Sequence, residues 1–239
     1  MVLRELTTAE PDAPRTLAEA IYRRLRRDII WGALAPGAPL RSDELRESYD
    51  VGVSPLREAL SRLIAERLVT AVGQKGFRVA PLTSADVLDT MQTRVVLERE
   101  ALARSIAQGT VEWETGVVAA YHSLSRVPIP RRAEPEADAW GRYHRQFHMA
   151  LLAACGSPWQ LELAGLLFDH ADRHRVIRAR SVPEPKLARD IAAEHKEILD
   201  AALARKTKAA VQALERHYRA TAERVVAALD SNGQSKKAR

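Results

Sequence analysis

The chain is poor in several things, and each shortage excludes something. It has one cysteine, Cys155, so no disulfide can close within it, which fits a reducing, cytoplasmic setting. It has no uninterrupted apolar run approaching the roughly 20 residues that a membrane span takes. The opening stretch MVLRELTTAEPDAPR carries acidic residues and no apolar core, so it does not read as a signal peptide. Glycine occurs 11 times and aromatics make up 5%. Beside abundant Ala, Leu, Arg and Glu, that scarcity favours helix over sheet. There is no glycine-rich phosphate loop and no GxSxG elbow. The stretch His144-Arg-Gln-Phe-His148 lacks the glutamate that follows the first histidine of HExxH zinc proteases. No carboxylate stands beside it as an obvious general base. A metal-dependent hydrolase is therefore disfavoured, and the expectation is that the protein is not an enzyme.

Hydrophobic residues make up 46% and charged residues 28%, which suits a globular chain. A length of 239 residues has room for two domains. The net charge of +6 suggests a polyanionic partner. Proline-containing stretches at 126–136 and 181–186 read as loops. At 79–86, VAPLTSAD, a strand-like stretch gives way to a long helical pattern. The predicted domains are 1–80, 81–230 and a disordered basic tail at 231–239.

In the first unit, Leu17, Ile21, Leu25, Ile29 and Ile30 recur at helical spacing, with arginines on the other faces. APGAPL then makes a turn, and Ser42 can cap a short helix. In SPLREALSRLIAERL, Ser54 fits an N-cap and Pro55 the first helical position. Leu56, Leu60, Leu63 and Ile64 form the buried stripe, leaving Arg57 and Ser61 outward. A first-turn arginine on the second helix of a helix-turn-helix is placed to reach base edges or phosphates. VTAVGQKGFRVA follows as two alternating runs around Gly73 to Gly76, a hairpin with Lys75 at its tip. The order of helix, helix, capped basic helix and hairpin describes a winged helix-turn-helix. Ser54, Arg57, Ser61, Lys75 and Gly76 are its candidate DNA-contacting residues.

The second unit reads as six helices, roughly 84–108, 110–126, 134–155, 157–180, 185–205 and 207–230. The fold class is thus mainly α, a winged helix followed by an all-helical bundle. His144 and His148 are four apart and share a face with Leu151, Leu152 and Cys155. His195 lies on the stripe of Leu187, Ile191, Ile198 and Leu199, and His217 follows Leu214 on another. Four histidines on three helices therefore face inward, where an unpartnered imidazole is costly. Two readings follow from the residues: a metal ion in the bundle core, or a hydrogen-bonded polar core. His122, His170 and His174 read as ordinary residues, and Trp31, Trp113, Trp140 and Trp159 as core packing.

Three stretches, DIIWGALAPGAPL, VGVSPLREALSRLIAERLV and GQKGFRVA, resemble the DNA-binding domain of the GntR family of bacterial transcriptional regulators. Val53 stands where family members commonly have an arginine, so their operator sequences do not transfer. TRVVLEREALARSIA, YHRQFHMALLAACGSPWQLEL and AEHKEILDAALARKTKAAVQALERHY resemble the FCD effector domain of the FadR-type branch. Many such domains hold a divalent metal with one Asp and three His. The resemblance implies that His148, His195 and His217 are the histidines and that His144 replaces the aspartate, giving an all-imidazole site. The His-x3-His pattern and SPLREAL helix are similar to a sub-branch that includes regulators of carbon-starvation and small dicarboxylate catabolism. Zn, Ni, Co or Fe(II) would suit four imidazoles. A six-coordinate ion would keep positions open for a ligand carboxylate, whereas tetrahedral zinc would close the site. Arg94, in the family's Arg-x3-Glu pattern with Glu98, and Arg173 are the candidate effector contacts.

The expected function is a homodimeric regulator, a repressor by this reading, that binds a double-stranded DNA operator under control of a small carboxylate effector. The alternative is an architectural DNA binder whose histidines only staple the fold.

Overall fold

The computed structural model describes residues 14, 16–73, 76–129, 139–181 and 189–237. Two compact units are distinguished. One takes in the chain up to Asp28 together with Gly37–Ala80, and the other Ile29–Pro36 and everything from Pro81 onward.

The smaller unit is built on three helices, α1 (Leu17–Ile30), α2 (Ser42–Tyr49) and α3 (Val53–Ala65). Ile21 and Leu25 of α1, Leu45 of α2 and Leu56, Leu60 and Leu63 of α3 are all buried, as their spacing dictates. Leu17 departs from that stripe and stands exposed at the start of α1. The Tyr49 hydroxyl donates to Asp28 Oδ2 at 2.6 Å, fastening α2 to α1. Two expected caps are corrected. Ser42 is the first helical residue, behind Arg41 at the cap position. Gly52 occupies the cap of α3, which puts Ser54 and Pro55 inside its first turn. Proline is tolerated there because first-turn N–H groups have no helical acceptor.

The hairpin consists of β2 (Val69–Ala71) and β3 (Phe77–Val79), antiparallel with Thr70 opposite Arg78. A third strand, β1 (Pro39–Leu40), pairs with β3, so the sheet order is β1-β3-β2. Its two residues were read as part of a turn, since so short a strand shows no alternation. Pro39 is acceptable on this edge, where it has no second partner to donate to.

The larger unit contains α4 (Ser84–Gln108), α5 (Val111–Ser125), α6 (Ala139–Leu152), α7 (Pro158–Ser181), α8 (Ile191–Leu203) and α9 (Thr207–Lys237). Thr83 caps α4 by accepting from Asp86 N, and Asp190 caps α8 by accepting from Ala193 N. Helix α4 packs against α7 and α9, α8 against α9, and α5 against α6. Leu102, Val117, Phe147, Leu151, Ile198 and Leu214 are at the centre of the shared core. Trp113 closes one end, donating from Nε1 to Ala150 O at 3.0 Å. Trp159 departs from expectation and is 73% exposed. It lies in the first turn of α7 with exposed Leu163 four residues on, so both belong to that helix's outward face. Helix α9 runs on to Lys237, past residue 230, where a disordered tail was expected. No proline interrupts that stretch, so the helical hydrogen-bond ladder is not forced to stop. The proline-rich loops expected near 130 and 184 lie for the most part outside the described residues. Among those described, no helix is long and apolar enough to cross a membrane.

Candidate metal centre and effector pocket

His144, His148, His195 and His217 converge. Each offers a ring nitrogen, and the four atoms lie within 4.8 Å of one another, all buried. Helix α6 supplies two because residues four apart share a face. Helices α8 and α9 bring the others because their inward stripes pack on each other. His144 Nε2 and His148 Nε2 are 3.1 Å apart. His144 Nδ1 and His195 Nε2 have no hydrogen-bond partner among the described residues.

Their electrostatics fit metal ligands. Burial, followed by the neighbouring imidazoles, holds His144 and His148 well below the usual histidine range. Burial lowers His195 to about 2. His217 is also lowered by burial, although the adjacent Glu194 opposes the shift. All four are therefore neutral at pH 7, the state in which imidazole offers a lone pair. Four converging neutral imidazoles are a donor set that a divalent transition metal satisfies.

The outward nitrogens of two rings are already oriented. His217 Nδ1 is 2.8 Å from Glu194 Oε2, which leaves its other nitrogen for the centre. His148 Nδ1 is 3.2 Å from the Tyr218 hydroxyl. Tyr218 in turn donates to Glu98 Oε2, and Glu98 takes two nitrogens of Arg94, Nε at 2.6 Å and Nη2 at 3.4 Å. Burial opposes ionisation of Glu194, but hydrogen bonds from His217 and Arg189 hold its carboxyl down to about 2. Such partners fix ring orientation and raise ligand basicity.

A pocket opens beside the centre. Its lining includes Arg94, His144, His148, Phe168, His217 and Tyr218. Water centres have about 80 Å³ available in it. At roughly 30 Å³ per water in the liquid, that is room for a few waters or one small molecule. Arg94 lines it, stacked on Tyr218 with 3.9 Å from guanidinium carbon to ring centre. Arg173 is not among the lining residues and is fully buried. Its helical neighbours Asp172, His174 and Arg175 line the pocket instead, because one step along a helix turns a side chain by about 100°. Sequence reasoning missed Arg175, Arg189, Glu194 and Tyr218. For the last two a signal existed, since each adjoins a histidine of the cluster in sequence. His174, read as ordinary, is buried with Nε2 3.3 Å from Asp86.

On the smaller unit, Ser54, Arg57 and Ser61 are all exposed on α3, as is Val53 at its start. Gly76 has φ of +88°, a conformation that suits glycine at the hairpin's return. Lys75 lies outside the described residues.

Comparison with known proteins bears on both units. Residues 17–79 match the model for bacterial regulatory proteins of the gntR family, and residues 89–220 match the FCD domain. The HTH-type transcriptional repressor GlaR of Escherichia coli is 41% identical over 197 residues, covering 82% of this chain and 90% of that protein. The uncharacterized HTH-type transcriptional regulator BphR of Paraburkholderia xenovorans is 38% identical, covering 85% and 82%. A solved GntR-family regulator from Pseudomonas syringae superposes with a TM-score of 0.54 at 28% identity, covering 92% of this chain and 88% of that one.

Proposed function

This chain belongs to the gntR family of bacterial regulatory proteins and carries an FCD domain, and on that premise we propose that it is a metal-dependent, carboxylate-responsive repressor. That it is a DNA-binding transcriptional regulator and not an enzyme follows from the family. The finer reading concerns the control. His144, His148, His195 and His217 hold a divalent transition metal, and a small carboxylate enters the pocket beside it. The observation that carries this reading is the convergence of four buried, neutral imidazoles, of which His144, His148 and His217 line a small pocket.

A bound ion supplies a concentrated positive charge that four neutral ligands do not offset, so it attracts an anion. The protein's own residues do the rest. Glu194 and Tyr218 orient His217 and His148. Arg94, made rigid by Glu98 and stacked on Tyr218, keeps a fixed cation on the wall. Effector and operator are coupled only if the effector binds the DNA-competent and DNA-incompetent states with different affinities.

At the operator, α3 is the recognition helix, with Arg57 reaching base edges or phosphates and Ser54 and Ser61 beside it. Lys75 and Gly76 belong to the wing that contacts phosphate. Two copies act together on two half-sites. Exposed Leu88 and Val96 on α4 and Trp159 and Leu163 on α7 offer apolar surface for contact between copies.

The test is metal content per chain, by mass spectrometry, on protein purified without chelator or histidine tag, with His148→Ala alongside. About one equivalent in the wild type and little in the variant is the expected result. A wild type that stays empty after incubation with Zn, Ni and Co overturns the metal reading and leaves a hydrogen-bonded polar core. For the effector, small carboxylates are then screened for release of operator DNA from the loaded protein.

A further inference from the structure

Val53 opens α3 and is 52% exposed. The exposed residues that come next along the helix are Ser54, Arg57, Glu58 and Ser61, all polar or charged. The buried stripe of Leu56, Leu60 and Leu63 starts about one turn later, so Val53 overhangs its end. At about 100° per residue, Val53 and Arg57 lie only about 40° apart, on one side of the helix. Packing within the chain does not account for a valine here. Helix propensity does not either, since β-branched residues are weaker helix formers than straight-chain ones.

A single exposed apolar residue is ordinary, but the residue before this one points the same way. Gly52 has unremarkable backbone angles, φ −72° and ψ 168°. A Cβ there would meet only Pro55 Cδ, at 3.9 Å, an ordinary contact. Nothing in the chain thus demands glycine, and serine or asparagine at this cap position would add a hydrogen bond to the helix. A missing side chain is of use where a backbone comes close to another molecule. Gly52 and Val53 together give α3 a bare, apolar leading edge.

We propose that Val53 packs on the 5-methyl group of a thymine in each half-site and so selects that base. This rests on the reading above, in which α3 is the recognition helix. Such a helix presents its N-terminal residues to base edges in the major groove. Those edges carry donors and acceptors, and the thymine methyl is the apolar group among them. The valine side chain has no atom able to hydrogen-bond. Set against the amino group of cytosine or the acceptors of guanine, it strips water from polar atoms and returns nothing. Set against the methyl, both surfaces gain by leaving water. Arg57, one turn on, is the charged reader on this side of the helix, and Val53 is the apolar one. Val53 therefore determines specificity without adding to the affinity for phosphate.

The test begins with selection of a consensus duplex from randomised DNA by the full chain, at one fixed salt concentration. Each thymine of the consensus is then replaced by deoxyuridine, which removes the methyl group alone. We expect one position in each half-site at which the replacement weakens wild-type binding by about fourfold, the worth of one buried methyl. With Val53→Ser, thymine and deoxyuridine should bind alike at that position, while the salt dependence stays as in the wild type. A consensus without any methyl-sensitive thymine overturns the inference alone, as does a methyl effect that survives in Val53→Ser. Failure to enrich any sequence overturns it together with the recognition-helix reading. The wild-type deoxyuridine series needs no variant, so a Val53→Ser chain that does not fold leaves the inference open to refutation.

Discussion

The Tyr218 hydroxyl stands 3.2 Å from His148 Nδ1 while donating to Glu98 Oε2. With its own hydrogen given to Glu98, the phenol oxygen can only accept from His148. That assigns the proton of His148 to Nδ1 and leaves Nε2 as the lone-pair nitrogen facing the other histidines.

Tyr218→Phe therefore removes the group that fixes this tautomer without emptying the space around it. Metal affinity should fall about 10- to 100-fold, the usual cost of losing a partner behind a ligand. Competition against a chromophoric chelator measures it. An unchanged affinity would mean that the Tyr218 contact plays no part in holding the ring.

Acid should weaken the metal-free fold through the histidines. His195 is lowered to about 2 in the folded chain, whereas an unfolded histidine titrates near 6.5. Between those values the unfolded chain binds the extra proton, so stability falls as pH falls below about 6.5. His144, His148 and His217 shift in the same direction. Each contributes a slope of up to roughly 1.4 kcal/mol per pH unit within its window. Melting in chelator from pH 8 to pH 5 should show a level region and then a decline. Replacing His195 with Gln should flatten that decline.

Gly109 should not tolerate a side chain. A Cβ there would sit 2.3 Å from the Trp113 ring and 2.6 Å from Ser105 O. Trp113 cannot swing away freely, because its Nε1 is bonded to Ala150 O. Gly109→Ala should cost about 1–3 kcal/mol, as overpacking does, and a lower Tm would record it.

Arg57→Ala should separate the two functions. Loss of a base-edge contact costs about 1–3 kcal/mol of operator affinity, while metal content stays at the wild-type level. Gel shifts at one fixed salt concentration test this, since the phosphate contribution varies with salt. A variant that binds operator normally would show that α3 reads DNA without this side chain.

Much of the fold was legible because periodicity and helix stops were strong. The stretch from Ser84 to Gln108 carries the apolar stripe of α4, with Gly109 just beyond it. The histidine cluster was legible because each member lies on such a stripe. What escaped the sequence depended on three-dimensional detail. Arg173 and Arg175 are both arginines near one end of α7, and only the rotation of that helix decides which faces the pocket. Trp159 is large and apolar, yet the face it occupies turned outward. Strand β1 was too short to carry a pattern, and Gly52 took the cap position from Ser54 without any side-chain bond to announce itself.

The four histidines span residues 144 to 217, and the last lies on α9. During synthesis, then, the cluster stays one member short until His217 has left the ribosome. Chains released early, or clipped before α9, keep at most three of the imidazoles. Under the metal reading, loading waits for α9, and an ion retained through purification reports that α9 was made and packed against α8.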